Sequence, residues 1–75
     1  ILQLFLMVYK YIDIVGTSPD SIAKAMEDAV DEAAKTVKRI RWAELGRVTL
    51  RIENQKIEEY QAEVKIGFEV ERGQK

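Results

Sequence analysis

From Tyr60 to Val70 the chain alternates without a break. Tyr60, Ala62, Val64, Ile66, Phe68 and Val70 share one parity, and Gln61, Glu63, Lys65, Gly67 and Glu69 share the other. Successive side chains of a strand point to opposite faces, so this segment predicts a long strand with one apolar and one polar face. Such a strand needs a cover over its whole apolar side. The remaining sequence offers one helical pattern to provide it, and one helix covers only part of a sheet this long. The rest of the face and the sheet edges must meet another partner or water.

The other elements follow from local pattern. Residues 7–15, "MVYKYIDIV", predict a strand with Val8, Ile12 and Ile14 on one face and Tyr9, Tyr11 and Asp13 on the other. "GTSPDS" predicts a helix start, with Ser18 as N-cap, Pro19 at the first helical position and Asp20 near the positive end of the dipole. Ile22, Ala25, Met26, Ala29, Val30, Ala33 and Val37 then form one stripe on a helix expected to end near Lys38 or Arg39. Its small side chains suit close packing against a sheet, and Lys35, Lys38 and Arg39 are expected near its C-terminal end. Residues 40–53 predict a second strand whose inward parity changes at Gly46. Ala43 and Leu45 are odd-numbered, and Val48, Leu50 and Ile52 are even-numbered, which a bulge at the glycine would reconcile. "ENQK" is a turn. The expected class is α+β in the order β-α-β-β, with a three-stranded antiparallel sheet partly wrapped around one helix and the last two strands forming a hairpin.

With 75 residues the chain is one domain, and a core of this size supplies only about 3–5 kcal/mol of net stability. There is no cysteine, which excludes a disulfide or thiolate staple. There is no histidine, which removes the commonest general base and metal ligand. Self-association or a bound cofactor remains as the stabilising device. The net charge of −1 and a pI near 5.4, with charges interspersed, argue against nucleic-acid binding. No apolar run is long enough to span a bilayer. The absence of cysteine fits a cytoplasmic protein. Residues 1–6, "ILQLFL", lack the cationic start and small-residue cleavage site of a signal peptide. Met7 reads as a natural start, so residues 1–6 are either a non-native leader or an extension of the first strand, and residues 72–75 read as a loose tail.

No catalytic set can be assembled. Ser18, Ser21, Thr17, Thr36 and Thr49 have no histidine or cysteine to work with, so the chain is not expected to be an enzyme. Glu27/Asp31 and Asp28/Glu32 are helical carboxylate pairs able to hold a hard cation, but Lys24 and Lys35 on either side of them favour a solvated face. Tyr9, Tyr11 and Tyr60 suit strands structurally. Trp42, the only tryptophan, is the exception. Tryptophans are mostly buried, so a core role is the first reading, yet its parity is opposite to that of Ala43 and Leu45, which points it away from the core face. Gln61 lies on the polar face of the last strand. An indole that stacks and an amide that both donates and accepts are together suited to a flat heterocycle.

These residues resemble the dodecins. The likeness runs over residues 7–71 and is carried by "VYKYIDIVGTSPDS", "AMEDAVDEAAKTV", "WAEL" and "EYQAEVKIGFEV". The resemblance implies a β-α-β-β protein assembled into a hollow homododecamer that stores, buffers and photoprotects flavins without turning them over. It further implies flavin pairs stacked between symmetry-related copies of Trp42, with Gln61 bonded to the pyrimidine-like edge and Glu44 as a neighbour. Where many bacterial members have a basic residue and a glycine, this chain has Thr49 and Leu50, and a basic position after Phe68 is Glu69. Arg47 and Arg51 flank the first of these segments as alternative partners for a phosphate. The implied cofactor is thus a flavin, either FMN or riboflavin, with lumichrome also open. Relatives without the tryptophan point to the alternative of a flavin-free shell binding calcium or other small ions.

Overall fold

The computed structural model describes residues 7–70; residues 1–6 and 71–75 lie outside the described residues, and with them the expectations of a leader or strand extension and of a loose tail. Four elements follow one another: β1 (Val8–Ser18), α1 (Ile22–Ala34), β2 (Ile40–Glu53) and β3 (Lys56–Val70). They form one antiparallel sheet in the order β1-β3-β2. The alternating segment is therefore the central strand, paired on both edges, and it extends four residues further toward the turn than the alternation alone required. β1 and β2 flank it in the same direction, and α1 is the connection between them.

The core is small and dense. Ala25, Ala29 and Ala33 of α1 are buried against Ala62, Val64 and Ile66 of β3, and Ile12, Ile14, Ile22, Met26, Val30, Ile40 and Ala43 close around them. Alanines four apart let the helix axis approach the sheet. Gly16 takes that approach to its limit: a Cβ there would collide with the Ala25 carbonyl oxygen and lie 2.9 Å from the Ala29 Cβ.

Both ends of the helix differ from expectation. The chain stays extended through Ser18, because Gly16, Thr17 and Ser18 continue the ladder opposite Ala62, Gln61 and Tyr60. Ser18 is buried, and its Oγ accepts from the backbone N–H groups of Asp20 (2.9 Å) and Ser21 (3.4 Å), forming the turn before the helix. Ser21 is the N-cap, its Oγ accepting from Lys24 N–H at 3.0 Å. The helix thus begins three residues later than Ser18 suggested, and no acidic residue occupies its first turn. At the other end the helix stops at Ala34 with Lys35 as cap. Val37 N–H still reaches the Ala33 carbonyl, and Arg39 then reverses the chain with φ 65°. Sheet pairing overrides the helical stripe here: the Arg39 carbonyl accepts from Glu69 N–H at 3.0 Å, drawing the connection onto β3.

The hairpin turn has Asn54 (φ 52°) and Gln55 (φ 65°) at its centre, the left-handed pair that a type I′ turn requires. β2 carries the expected bulge. Leu45 pairs with Val64 and Val48 with Ala62, so Gly46 and Arg47 together oppose Glu63 and the inward parity changes there. A second bulge was not foreseen. Ile40 pairs with Phe68 but Trp42 with Gly67, which leaves Arg41 as the extra residue.

Thirteen helical residues span about 20 Å, whereas the fifteen residues of β3 span about 50 Å. α1 lies on β1 and β3 and barely touches β2. The far part of the hairpin is left uncovered on its apolar side, with Leu45 43%, Val48 38%, Leu50 42%, Ile52 51% and Ile57 50% exposed.

Replacing Gly16 with alanine is expected to push the helix off the sheet and to cost about 1–3 kcal/mol. A urea-unfolding midpoint indistinguishable from that of the unaltered protein would contradict the close contact.

Candidate functional site

Trp42 owes its orientation to the Arg41 bulge. Ile40 faces the helix and has the same parity as Trp42; the extra residue between them turns the indole to the opposite face. There it lies over Gly67 of the central strand. A Cβ at Gly67 would collide with Cε2 of the indole and lie 2.6 Å from Cζ2 and 2.8 Å from Nε1. The glycine on the polar parity of β3 is therefore the floor on which the ring rests. Two tyrosines of β1 hold its sides. Tyr9 meets it at 5.0 Å between ring centroids with the planes tilted by 58°. Tyr11 meets it edge-on at 5.9 Å and 82°, and the indole Nε1–H donates to the Tyr11 hydroxyl at 3.3 Å. The Lys65 Nζ sits 5.4 Å from the centre of the Tyr11 ring. Trp42 remains 38% exposed, an immobilised aromatic surface on the outside of the sheet. Glu44 follows on the same face, paired across from Lys65.

Gln61 belongs to a different locality. Its Oε1 accepts from Thr49 Oγ1 at 2.8 Å and its Nε2 donates to Glu59 Oε2 at 3.2 Å. Glu59 also accepts from Arg51 Nη2 at 3.3 Å, while Arg51 Nη1 reaches Glu53 at 2.8 Å. Arg51 is thereby committed to two carboxylates. Arg47 is not: among the described residues it forms no ion pair. It borders, with Val15, Thr49, Gln61 and Glu63, an open depression of about 280 Å³. Thus the structure brings Arg47 beside Gln61 and ties Arg51 to the same network through Glu59, and it sets Glu44 on the Trp42 side.

Trp42 and Gln61 are not brought together within one chain. Trp42 pairs with Gly67, six residues from Gln61 along β3, a separation of about 20 Å. The sequence reasoning weighed Tyr9 and Tyr11 as stacking residues but assigned them to strand structure, and it gave Gly67 no role. Their signal was present: two tyrosines on the polar parity of β1, and a missing side chain on the polar parity of β3.

Glu69 accepts from Arg41 at 2.9 Å and lies 3.9 Å from Arg39. It fixes the bulged start of β2 to the end of β3. Among the described residues no group of three or more acidic side chains is placed to hold a metal ion, so the helical carboxylates remain pairs.

Residues 8–71 match the family model Dodecin. The chain belongs to the dodecin family. A dodecin of Thermus thermophilus is 33% identical over 64 residues, covering 85% of this chain and 93% of that protein. The dodecin of Streptomyces coelicolor superposes with a TM-score of 0.88 at 31% identity, covering 93% of this chain and all (100%) of that one. A calcium dodecin of Mycobacterium tuberculosis, described as a calcium-chelating antigen with a calcium-binding site, superposes with a TM-score of 0.75 at 35% identity, over 91% of this chain and 97% of that one. The β-α-β-β architecture inferred from the sequence is the dodecin architecture.

Exchanging Gly67 for alanine is expected to leave the sheet intact while lifting the indole from its floor. Far-UV circular dichroism should be unchanged and near-UV circular dichroism altered, with tryptophan fluorescence more readily quenched by acrylamide. An unaltered near-UV spectrum would show that the ring does not rest there.

Proposed function

We propose that this dodecin is a non-enzymatic flavin-binding protein that stores, buffers and photoprotects its ligand in the cytoplasm, assembled as a homododecamer. The observation that carries the reading is the presentation of Trp42: a ring held against a glycine floor and two tyrosine walls, on the face of the sheet away from the helix. An indole held in this way loses little further freedom when a flat heterocycle stacks on it. The residues fit an isoalloxazine in chemistry as well as shape. Gln61 offers one donor and one acceptor to a ring edge that carries both.

The distance between the two residues supports assembly. A ligand that touches both Trp42 and Gln61 takes them from different chains, which agrees with flavin pairs stacked between symmetry-related tryptophans. The uncovered apolar side of the hairpin supplies the surface that such neighbours would bury. We assign an FMN phosphate to Arg47, since Arg51 already serves Glu53 and Glu59. Glu44, on the Trp42 face, flanks the stacked ring. When bound, the isoalloxazine supplies an excited state that accepts an electron from the indole, which is the basis of photoprotection. Calcium binding by the tuberculosis relative favours a second reading, a flavin-free shell for small ions.

Titration with riboflavin and with FMN separates the two readings. Quenching of flavin fluorescence is expected, and Trp42→Ala should weaken binding by about 1–3 kcal/mol, or ~10- to 100-fold. An unchanged titration in that variant would remove Trp42 from the site, and a melting temperature that rises with calcium but ignores flavin would favour the ion shell. Arg47→Ala should weaken FMN selectively and abolish the salt dependence of its binding while riboflavin binds as before. Equal losses for both flavins would show that Arg47 does not meet the phosphate.

A further inference from the structure

The indole N–H of an exposed tryptophan has water available to it, yet that of Trp42 is bonded to the Tyr11 hydroxyl at 3.3 Å. The bond helps to hold the ring in place. It couples the single tryptophan of the chain to a phenol whose ring centre is 5.9 Å from its own. We propose that Tyr11 is a second electron donor behind Trp42, refilling the indole after it has lost an electron and so sparing it from irreversible photo-oxidation. The inference rests on the proposed flavin site for its oxidant, the photo-excited isoalloxazine.

The electron count closes. Trp42 gives one electron to the excited ring and is left as an indole radical cation. Tyr11 gives one electron to the indole, and its O–H bond breaks as the proton passes to solvent water. The indole is restored, and the missing electron now resides on a neutral phenoxyl. When the electron returns from the ligand to the phenoxyl, a proton from water re-forms the O–H bond. Nothing is consumed, and no further oxidant enters.

Geometry selects Tyr11 over Tyr9. The Tyr11 oxygen is the acceptor in the bond from Nε1, so its own hydrogen is directed elsewhere, and the residue is 50% exposed, within reach of water. Lys65 Nζ, 5.4 Å from the centre of the Tyr11 ring, opposes a positive charge left on it. The proton must therefore leave with the electron, which yields a neutral product. Tyr9 touches the indole through its ring at 5.0 Å, a contact that gives its phenol O–H no link to the indole nitrogen.

The relay can be tested on flavin-free protein by pulse radiolysis in azide solution, which oxidises tryptophan in preference to tyrosine. The tryptophanyl absorption should convert to tyrosyl absorption. In Tyr11→Phe the tyrosyl signal should be lost and the tryptophanyl signal should last several-fold longer, with oxygenated Trp42 accumulating under continued illumination in the presence of flavin. The unaltered protein provides a measurement that needs no variant: the conversion should slow in heavy water, because a proton moves with the electron. The same tryptophanyl lifetime in Tyr11→Phe, a conversion indifferent to heavy water, or a tyrosyl signal that survives in Tyr11→Phe but vanishes in Tyr9→Phe would each overturn the proposal. Because the radiolysis contains no flavin, its failure speaks against the relay alone, whereas failure of the flavin titration speaks against the site.

Discussion

The close contact between the alanine row of α1 and the centre of β3 organises the molecule. Ala25, Ala29 and Ala33 bring the helix down onto Ala62, Val64 and Ile66, and Gly16 admits the helix backbone where a side chain would hold it off. A helix so near the sheet fixes β1 against β3 and commits the even parity of β3 from Tyr60 onward to the inside. Over the same stretch the odd parity, including Gly67 and Gln61, is then forced outward. The face that carries the candidate site is thus the reverse side of the packing contact.

Much of this was legible in the sequence. The strict alternation of Tyr60–Val70 determines a two-faced strand, and the change of inward parity at Gly46 locates a bulge that the register confirms. The helical stripe was also sound, although its ends were not. Ser18 has the chemistry of a cap, but ladder pairing with Tyr60 keeps it extended, and Ser21 takes the role. Nor is the bulge at Arg41 visible locally, since no glycine marks it. It arises because the chain must pass from the left-handed turn at Arg39 into pairing with β3, where Glu69 anchors Arg41. Local patterns record which face a residue prefers, and only the register records how one face is displaced along another.

The candidate site was legible in the same partial way. Burial preference favoured a core role for Trp42 and strand parity an outward one, and the ring lies on the outer face over Gly67. Its tyrosine walls and glycine floor come from strands distant in sequence, so no local pattern could assemble them. The arginines show a further limit. Arg47 and Arg51 are equivalent in sequence, both flanking Thr49 and Leu50, yet pairing with Glu53 and Glu59 occupies one while the Gly46–Arg47 bulge leaves the other beside Gln61. Exposed pairs of this kind contribute little to stability. Their effect is to decide which cation is available.

The six-residue interval between Gly67 and Gln61 makes β3 a ruler. A lone chain offers an aromatic platform at one mark and a hydrogen-bonding amide at another, too far apart for a single small ring. Any ligand that requires both must count at least two copies before it binds well. Its apparent affinity then depends on protein concentration as much as on its own, and by the same linkage the ligand drives the copies together. Dilution alone would release such a ligand, with no change in any contact it makes.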